Sequence, residues 1–135
     1  MRRAPKPDER GRSAPRPSGF SNRRWLSVTI DNMASAIDWL DHYIAKSVEL
    51  LDLYADDAII ACGCGDGKVL SGRPSFRPYW IDRFERKPAV ELIELEDWQA
   101  GVVAVSYRTE IDVVRSVLTF DDRTGLIVRQ RCGPL

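Results

Sequence analysis

Three cysteines carry the most reactive side chains of this 135-residue sequence. Cys62 ends the short apolar run AIIAC at 58–62, Cys64 follows in a glycine-rich turn, and Cys132 lies near the end of the chain. A thiol where a strand meets a flexible turn is expected at the rim of a small-molecule pocket. An ordinary buried core cysteine fits the same pattern, and both interpretations stay open.

A nucleophilic Cys62 requires a nearby cation that stabilises the thiolate, and Arg108 and Arg129 are the candidates. Zinc requires more ligands at suitable spacing than the cysteines offer, and His42 falls on the polar face of its predicted helix. The sequence therefore predicts no metal site and no cofactor.

Two groups of charged residues are weaker candidates for chemistry. Asp56 and Asp57 are adjacent in the sequence. Two interpretations of them stay open: an acid/base pair, or carboxylates that stabilise a turn through backbone hydrogen bonds. Arg108, Glu110 and Asp112 alternate along a predicted strand, which indicates a charged outer or dimer face. If that strand is flipped, so that this face points to the interior, Glu110 is the best candidate for a carboxylate that takes part in chemistry. The segment GCGDGK lacks the spacing of a phosphate-binding loop.

Helical periodicity predicts the elements that precede the first strand. Residues from about 31 to 45 form an amphipathic helix, with Trp39 and Tyr43 together at one edge of its apolar stripe. Ser47 is a plausible N-cap for a second helix, Val48 to Tyr54.

The segment that follows predicts a strand, a loop and a third helix. Residues 55–57 break the second helix and lead into a strand at 58–62, and the glycines after it form a loop ending near Gly72. Pro78 cannot donate to the carbonyl of Pro74, so the third helix is either two short pieces or begins at Pro78.

From residue 89 the apolar pattern changes to a period of two, typical of strands. A phase switch at Leu92 and Ile93 indicates a bulge, and Val103, Val105, Tyr107 and Ile111 form the more apolar side of the next strand. Turns are predicted at 99–101 and 121–125, a strand at 113–120, and a last strand through LIVRQRC at the end. Helices followed by antiparallel strands predict an α+β fold.

The order of these elements resembles the nuclear transport factor 2-like superfamily, in its SnoaL-like and ketosteroid isomerase-like branch. The resemblance rests on LYADDA at 53–58, Gly72-Arg73, the aromatic pair Tyr79-Trp80 and the closing FDDRTGLIVRQR at 120–131. It implies a SnoaL-like domain over 31–135, with about three N-terminal helices on a strongly bent, mainly antiparallel sheet. It also implies a cone with an apolar interior and a homodimer through the outer face of the sheet.

The same resemblance assigns positions to the catalytic groups of ketosteroid isomerase. Cys62 stands in place of the base aspartate, and Ser116 in place of the second aspartate, four residues before Phe120. A thiol in apolar surroundings is a poor base, so isomerase chemistry of that kind is not expected. The catalytic tyrosine maps onto Trp39 or Tyr43. Tyr43, Ser116 and Cys62 are thus weak catalytic candidates.

A ligand pocket is expected at the positions that the resemblance aligns with the interior of the cone. Its predicted lining is Trp39, Tyr43, Tyr54, Cys62, Trp80, Ser116, Gln130 and Cys132. Gln130 is a polar amide amid apolar residues, which is costly unless the protein or a ligand provides a hydrogen bond. The expected partner is a small apolar or ring-containing molecule. Binding without catalysis, and an isomerase, dehydratase or polyketide cyclase-like activity, are the two hypotheses.

Charge divides the chain into a basic start and an acidic remainder. Residues 1–24 hold seven Arg and one Lys against Asp8 and Glu9. Residues 1–30 are expected to form a disordered Pro/Arg-rich tail, with polyanion binding as a weaker alternative, and Met33 is an alternative start. No run of 18 apolar residues exists, so no membrane span is expected. An odd number of cysteines without an export signal predicts a cytoplasmic protein.

Overall fold

Two α-helices, two short 3₁₀ helices and six strands make up the described part of the chain. The computed structural model describes residues 17–63 and 67–134, with side chains for 31–63 and 67–133. In chain order the elements are α1 (Pro17–Ile44), a 3₁₀ helix (Val48–Leu53), β1 (Tyr54–Cys62), β2 (Val69–Ser71), a 3₁₀ helix (Arg73–Ser75), α2 (Phe76–Arg86), β3 (Ala89–Gln99), β4 (Val102–Thr109), β5 (Val113–Phe120) and β6 (Ile127–Pro134).

All six strands form one sheet in the order β2-β1-β6-β5-β4-β3. Only β1 and β6 run parallel, and every other neighbouring pair is antiparallel. The predicted α+β class and mainly antiparallel sheet are therefore confirmed. The parallel pair places Cys62 opposite Cys132, which brings distant parts of the sequence to the same end of two adjacent strands.

Helix α1 is longer than predicted. It begins at Pro17 rather than near residue 31, and it buries Ala36, Trp39, Leu40 and Tyr43 on one face, as the helical spacing predicts. Residues 1–16 of the predicted tail lie outside the described residues, so disorder there stays a prediction. Within the described ranges, neither α-helix is both long and apolar enough to span a bilayer.

The segment between α1 and β1 corrects two boundaries. Ser47 caps the 3₁₀ helix as predicted, accepting a hydrogen bond from the backbone N–H of Glu49 at 3.2 Å. The helix ends at Leu53, and β1 then starts at Tyr54, so the prediction of a break at 55–57 is wrong. The pairing of β1 with β6 is irregular between Tyr54 and Ile59, which allows exposed aspartates within a strand.

The two-proline segment forms two pieces, one of the predicted alternatives. A 3₁₀ turn at Arg73–Ser75 precedes α2, and Pro78 lies in the first turn of α2, where a missing N–H costs no helical hydrogen bond. Gly72 before it has a φ of 87°, a conformation that favours glycine.

The hairpin strands confirm most of the period-two pattern. The register of β3 against β4 shifts between Leu92 and Glu94, at the predicted bulge, and residues 99–101 turn with positive φ. The placement of Ile111 on the apolar side of a strand is wrong. β4 ends at Thr109 and Ile111 is 79% exposed, because a tight turn closed by Thr109 and Asp112 separates β4 from β5.

The core lies between the helices and the inner face of the sheet. On β5 every second side chain is buried, namely Val114, Ser116, Leu118 and Phe120. The largest fully buried side chains are aromatic: Trp39, Trp80, Tyr43, Tyr54, Tyr107 and Phe76. Each such side chain contributes about 1.5–3 kcal/mol through burial, so the same residues that could contact a ligand also hold the fold together.

Candidate functional site

The eight residues predicted to line a pocket all lie inside the core. They come from α1 (Trp39, Tyr43), β1 (Tyr54, Cys62), α2 (Trp80), β5 (Ser116) and β6 (Gln130, Cys132), and all are buried. Cys62, at 8% exposed, and Cys132, at 5%, are the members nearest the surface, whereas both tryptophans and both tyrosines are fully buried. The two thiols therefore lie at the outer end of this group.

Aromatic rings form the inner part of the site. Trp39 makes edge-to-face contacts with Tyr43, Trp80 and Tyr107 at centroid distances of 5.8, 5.9 and 5.9 Å. Tyr43 also contacts Trp80 at 4.9 Å and Tyr107 at 5.4 Å. Tyr107 was predicted on the apolar side of its strand but not as a pocket residue. Such rings offer faces and edges against which a flat ring can pack.

A chain of hydrogen bonds satisfies the buried polar groups at the inner end of the site. The indole Nε1 of Trp39 donates to the hydroxyl of Tyr54 at 3.0 Å, and that hydroxyl donates to Oε1 of Gln130. Burial raises the pKa of Tyr54, so its hydroxyl stays protonated and able to donate. The open question about Gln130 is thus answered: the protein itself supplies a partner for the amide.

Tyr43 uses its hydroxyl to join α1 to the end of α2. The hydroxyl donates to the backbone carbonyl of Lys87 at 2.6 Å. Burial raises the pKa of Tyr43, which keeps the hydroxyl protonated. As a catalytic donor, Tyr43 would have to give up this bond, so its first role in this structure is to fix α1 against the end of α2.

Arg83 is the charged residue that the sequence analysis missed. It lies on α2 and is only 7% exposed. Its Nη2 is 3.4 Å from the hydroxyl of Tyr107 and its Nη1 is 3.9 Å from the sulfur of Cys62, while the guanidinium lies 5.6 Å from the ring centre of Tyr79. Its Nε is buried and has no hydrogen-bond partner among the described residues.

The sequence did contain a signal for the burial of Arg83. Phe76, Trp80, Arg83 and Phe84 are spaced as i, i+4, i+7 and i+8, so the arginine occupies a position on the apolar stripe of α2. All four are buried. The general rule that charged side chains face solvent concealed this position.

The predicted cations for Cys62 were wrong. Arg108 lies on the exposed side of β4 and is bound to Glu91 at 2.8 Å, and Arg129 is exposed on β6. The cation beside the Cys62 sulfur is Arg83 instead. The Cys132 sulfur lies 3.7 Å from that of Cys62, since the two residues are register partners on parallel strands.

Two hydroxyl groups meet near the same guanidinium. The Oη of Tyr107 and the Oγ of Ser116 are 3.5 Å apart, and both residues are buried. Burial raises the pKa of Tyr107 well above its ordinary value, so it remains a protonated donor. Ser116 therefore places a buried hydroxyl, and not a carboxylate, beside Tyr107.

The remaining charged candidates lie away from this site. Asp56 is largely exposed and pairs with Arg73 at 2.9 Å, and it lies within β1 rather than in the predicted turn. Glu110 and Asp112 lie in the turn after β4 rather than along a strand face. Cys64 lies outside the described residues. Among the described residues no group of three or more His, Cys, Asp or Glu side chains is arranged to hold a metal ion.

Comparisons with known proteins place the fold. No model of a protein family matches the chain, and no curated protein matches it. Among solved structures, an NTF2-like protein of unknown function from Burkholderia xenovorans is 15% identical, with a TM-score of 0.62 over 77% of this chain and 82% of that chain. An NTF2-like protein from Anabaena variabilis is 12% identical, with a TM-score of 0.64 over 78% of this chain and 90% of that chain.

A third structure agrees with the first two. A protein of unknown function with a cystatin-like fold from Methylobium petroleophilum is 15% identical, with a TM-score of 0.64 over 78% of this chain and 76% of that chain. At these identities the likeness concerns the fold alone. The chain therefore has the fold of the nuclear transport factor 2-like proteins, as the order of its sequence motifs predicted.

Proposed function

We propose that this protein is a SnoaL-like domain, a cone with a strongly bent sheet, that binds a small ring-containing molecule in its interior. The observation that supports this proposal most directly is the convergence of polar groups on an aromatic cluster. The hydroxyls of Tyr107 and Ser116 and the thiol of Cys62 lie around Arg83 at the outer end of the rings of Trp39 and Trp80. Apolar sites with a few placed polar groups are typical of small-molecule pockets.

Catalysis of the ketosteroid isomerase type is not part of the proposal. That chemistry uses a buried carboxylate as a base and a second carboxyl group as a hydrogen-bond donor. The corresponding positions hold Cys62 and Ser116, and none of the buried residues in the described ranges is Asp or Glu. The site offers neutral donors and one cation, which suit recognition of a ligand better than abstraction of a proton.

Native mass spectrometry of the purified full chain tests binding. We expect either a co-purified organic molecule or, in its absence, a one-to-one adduct with a neutral ring probe, methyl 2-naphthoate. Trp80→Leu removes a ring from the centre of the cluster and should abolish the adduct. Trp98→Leu, a matched change at a side chain that is 43% exposed, should leave it intact. Absence of any adduct, or loss only in the Trp98 variant, would refute the proposal.

A small isomerase, dehydratase or cyclase-like enzyme is the second candidate. It is favoured by the Tyr107–Ser116 hydroxyl pair and by the thiol beside a guanidinium, since such groups transfer protons or stabilise a developing oxyanion. Chemical conversion of the bound molecule would decide for it. The activity should then fall in Ser116→Ala or Tyr43→Phe, and turnover unchanged in both variants would show that the assigned site is wrong.

We also propose a homodimer through the outer face of the sheet. The edge strand β3 exposes Leu92, Ile93 and Trp98, between 42% and 50% exposed, which is more apolar surface than an edge strand usually leaves to water. Sedimentation velocity should show a dimer that Ile93→Lys dissociates. A monomer at all concentrations would contradict it.

Two further expectations remain proposals. The first 24 residues are a candidate for polyanion binding, and deleting them should remove any salt-sensitive affinity for nucleic acid. Affinity that survives the deletion would eliminate this idea. A cytoplasmic location is the other expectation, and fractionation of cells that express the full chain tests it.

A further inference from the structure

Arg83 is a buried cation whose charge no described carboxylate neutralises. The ion pairs among the described residues involve Arg73, Arg86, Lys87, Arg108 and Arg115, but not Arg83. A guanidinium carries five N–H donors. The contacts that Arg83 makes with Tyr107 and Cys62, at 3.4 and 3.9 Å, are long, and Nε has no partner among the described residues. A buried charge of this kind needs a partner.

Among the described residues, the groups in contact with the guanidinium are aromatic rings, a hydroxyl and a thiol, and none is a carboxylate: Tyr43 on α1, Cys62 on β1, Tyr79 on α2 and Tyr107 on β4. Ser116 on β5 and Cys132 on β6 lie one contact further away, against Tyr107 and Cys62. Burial raises the pKa of Tyr79 and of Tyr107, so neither hydroxyl supplies a negative charge near neutral pH. The hydrogen bond from Thr109 and, to a smaller extent, the charge of Arg83 lower the pKa of Asp112, but that carboxylate is already bound by Thr109 at 2.6 Å and by Lys87 at 3.0 Å.

Three hydroxyls near Arg83 could donate hydrogen bonds to an anion. The hydroxyls of Tyr79, Tyr107 and Ser116 are donors, and Arg83 lies at the less buried end of the site, at 7% exposed against 0% for Trp80. An anionic group bound there would leave the rest of its molecule to contact the aromatic rings. A single cation in mostly apolar surroundings balances one negative charge, which favours a carboxylate over a doubly charged phosphate.

We propose that Arg83 binds the carboxylate of the ligand, so that the molecule held in this site is a ring-containing carboxylic acid. This inference rests on the proposed function, since it names the class of molecule that the interior binds. It assigns recognition to a residue that holds no catalytic position in the resemblance on which the fold was predicted. The ring would contact Trp80 and Tyr43, and the carboxylate would supply the missing partner of the guanidinium.

Isothermal titration calorimetry with two matched probes tests the inference. The purified full chain is titrated with 2-naphthoate and with methyl 2-naphthoate, which share the ring and differ in charge. We expect the acid to bind at least tenfold more tightly than the ester. Equal affinities would overturn the assignment of Arg83 but leave the proposed function standing. Failure of both probes to bind would refute the proposed function and this inference with it.

Variants of the arginine give an independent readout. Arg83→Met keeps the length of the side chain without its charge and should reduce the acid-to-ester ratio to about one. Arg83→Lys should retain part of the preference, because an ammonium keeps the charge but not the paired donors. Arg86→Gln, a change at an exposed arginine of the same helix, should leave the ratio unchanged. A preference that persists in Arg83→Met would contradict the proposal.

Inorganic phosphate serves as a third probe. Because it has no ring and carries more charge, it should not displace 2-naphthoate at concentrations up to a hundredfold excess. Displacement by phosphate would show that the cation binds a different class of anion, and the carboxylic acid assignment would be wrong. The comparison of acid and ester uses the unaltered chain, so it decides the question even if Arg83→Met does not fold.

Discussion

Tyr54 is the point at which removal of a single oxygen atom should be most costly to the fold. Its hydroxyl accepts from the Trp39 indole and donates to the Gln130 amide, and all three residues are at most 1% exposed. Tyr54→Phe keeps the ring and its edge contact with Phe76 at 5.0 Å, but leaves a donor and an acceptor buried without a partner. Each such group costs roughly 1–3 kcal/mol, so about 2–6 kcal/mol of stability should be lost.

Urea unfolding of the full chain measures this loss. For a domain with an m-value of roughly 1.5–2 kcal/mol/M, the midpoint should fall by roughly 1–4 M in the variant. Tyr79→Phe is the matched control, since that hydroxyl makes a long contact of 3.9 Å with the sulfur of Cys132 in a half-buried position. It should change stability by less than about 0.5 kcal/mol. Equal effects of the two substitutions would refute the hydrogen-bond chain.

The double variant Tyr54→Phe with Gln130→Leu refines the test. If the hydroxyl and the amide bind each other, the second change removes the group that the first left unsatisfied. The two losses should therefore be less than additive, with a coupling of roughly 1 kcal/mol or more. Strict additivity would indicate that the two side chains act independently.

Three further predictions concern other positions. Gly63→Ala should lower the midpoint of urea unfolding, because an added Cβ would lie 2.7 Å from a backbone carbonyl of β6, and unchanged stability would contradict the close approach. The hydrogen bond from Thr109 and the charge of Lys87 lower the pKa of Asp112 from its ordinary value of 3.8. The ionised carboxylate therefore stabilises the fold above pH 3.8, and this contribution is lost as the pH falls below that value. Asp112→Asn should remove this part of the acid sensitivity, and an identical pH profile would refute it. Arg83→Met should unfold at higher urea than the ligand-free parent, because it removes a buried charge, and lower stability would indicate a partner for that charge within the chain.

Much of the fold could be predicted because its strands leave a clear pattern in the sequence. On β5 the alternation of Val114, Ser116, Leu118 and Phe120 with half-buried residues specifies both the strand and its inner face. The positions of Pro74 and Pro78 likewise predicted either a divided helix or one that begins at Pro78, and the divided helix is the one observed. These signals are local, so they survive without knowledge of tertiary contacts.

The errors arose where tertiary pairing overrides local preference. The aspartates at 56 and 57 favour a turn, yet the irregular pairing of β1 with β6 includes them in a strand. Ile111 favours a strand, yet the hydrogen bonds of Thr109 and Asp112 close a turn around it.

The burial of the predicted lining residues follows from the sequence, whereas the buried charge beside them does not. All eight predicted pocket residues lie in the core, because aromatic and apolar positions follow the periodicity of the helices and strands. Arg83 was missed because its burial depends on the tyrosines and cysteines that surround it, and these come from four other elements of the fold and from its own helix. Sequence spacing records none of those contacts.

The indole N–H signals of the tryptophans test the central claim most directly. Heteronuclear NMR of the full chain resolves these signals, and tryptophan-to-phenylalanine variants assign them. On addition of 2-naphthoate, the signals of Trp39 and Trp80 should shift, because both rings lie in the aromatic cluster, while that of exposed Trp98 should stay. Shifts confined to Trp98, or no shifts at saturating probe, would contradict an internal binding site.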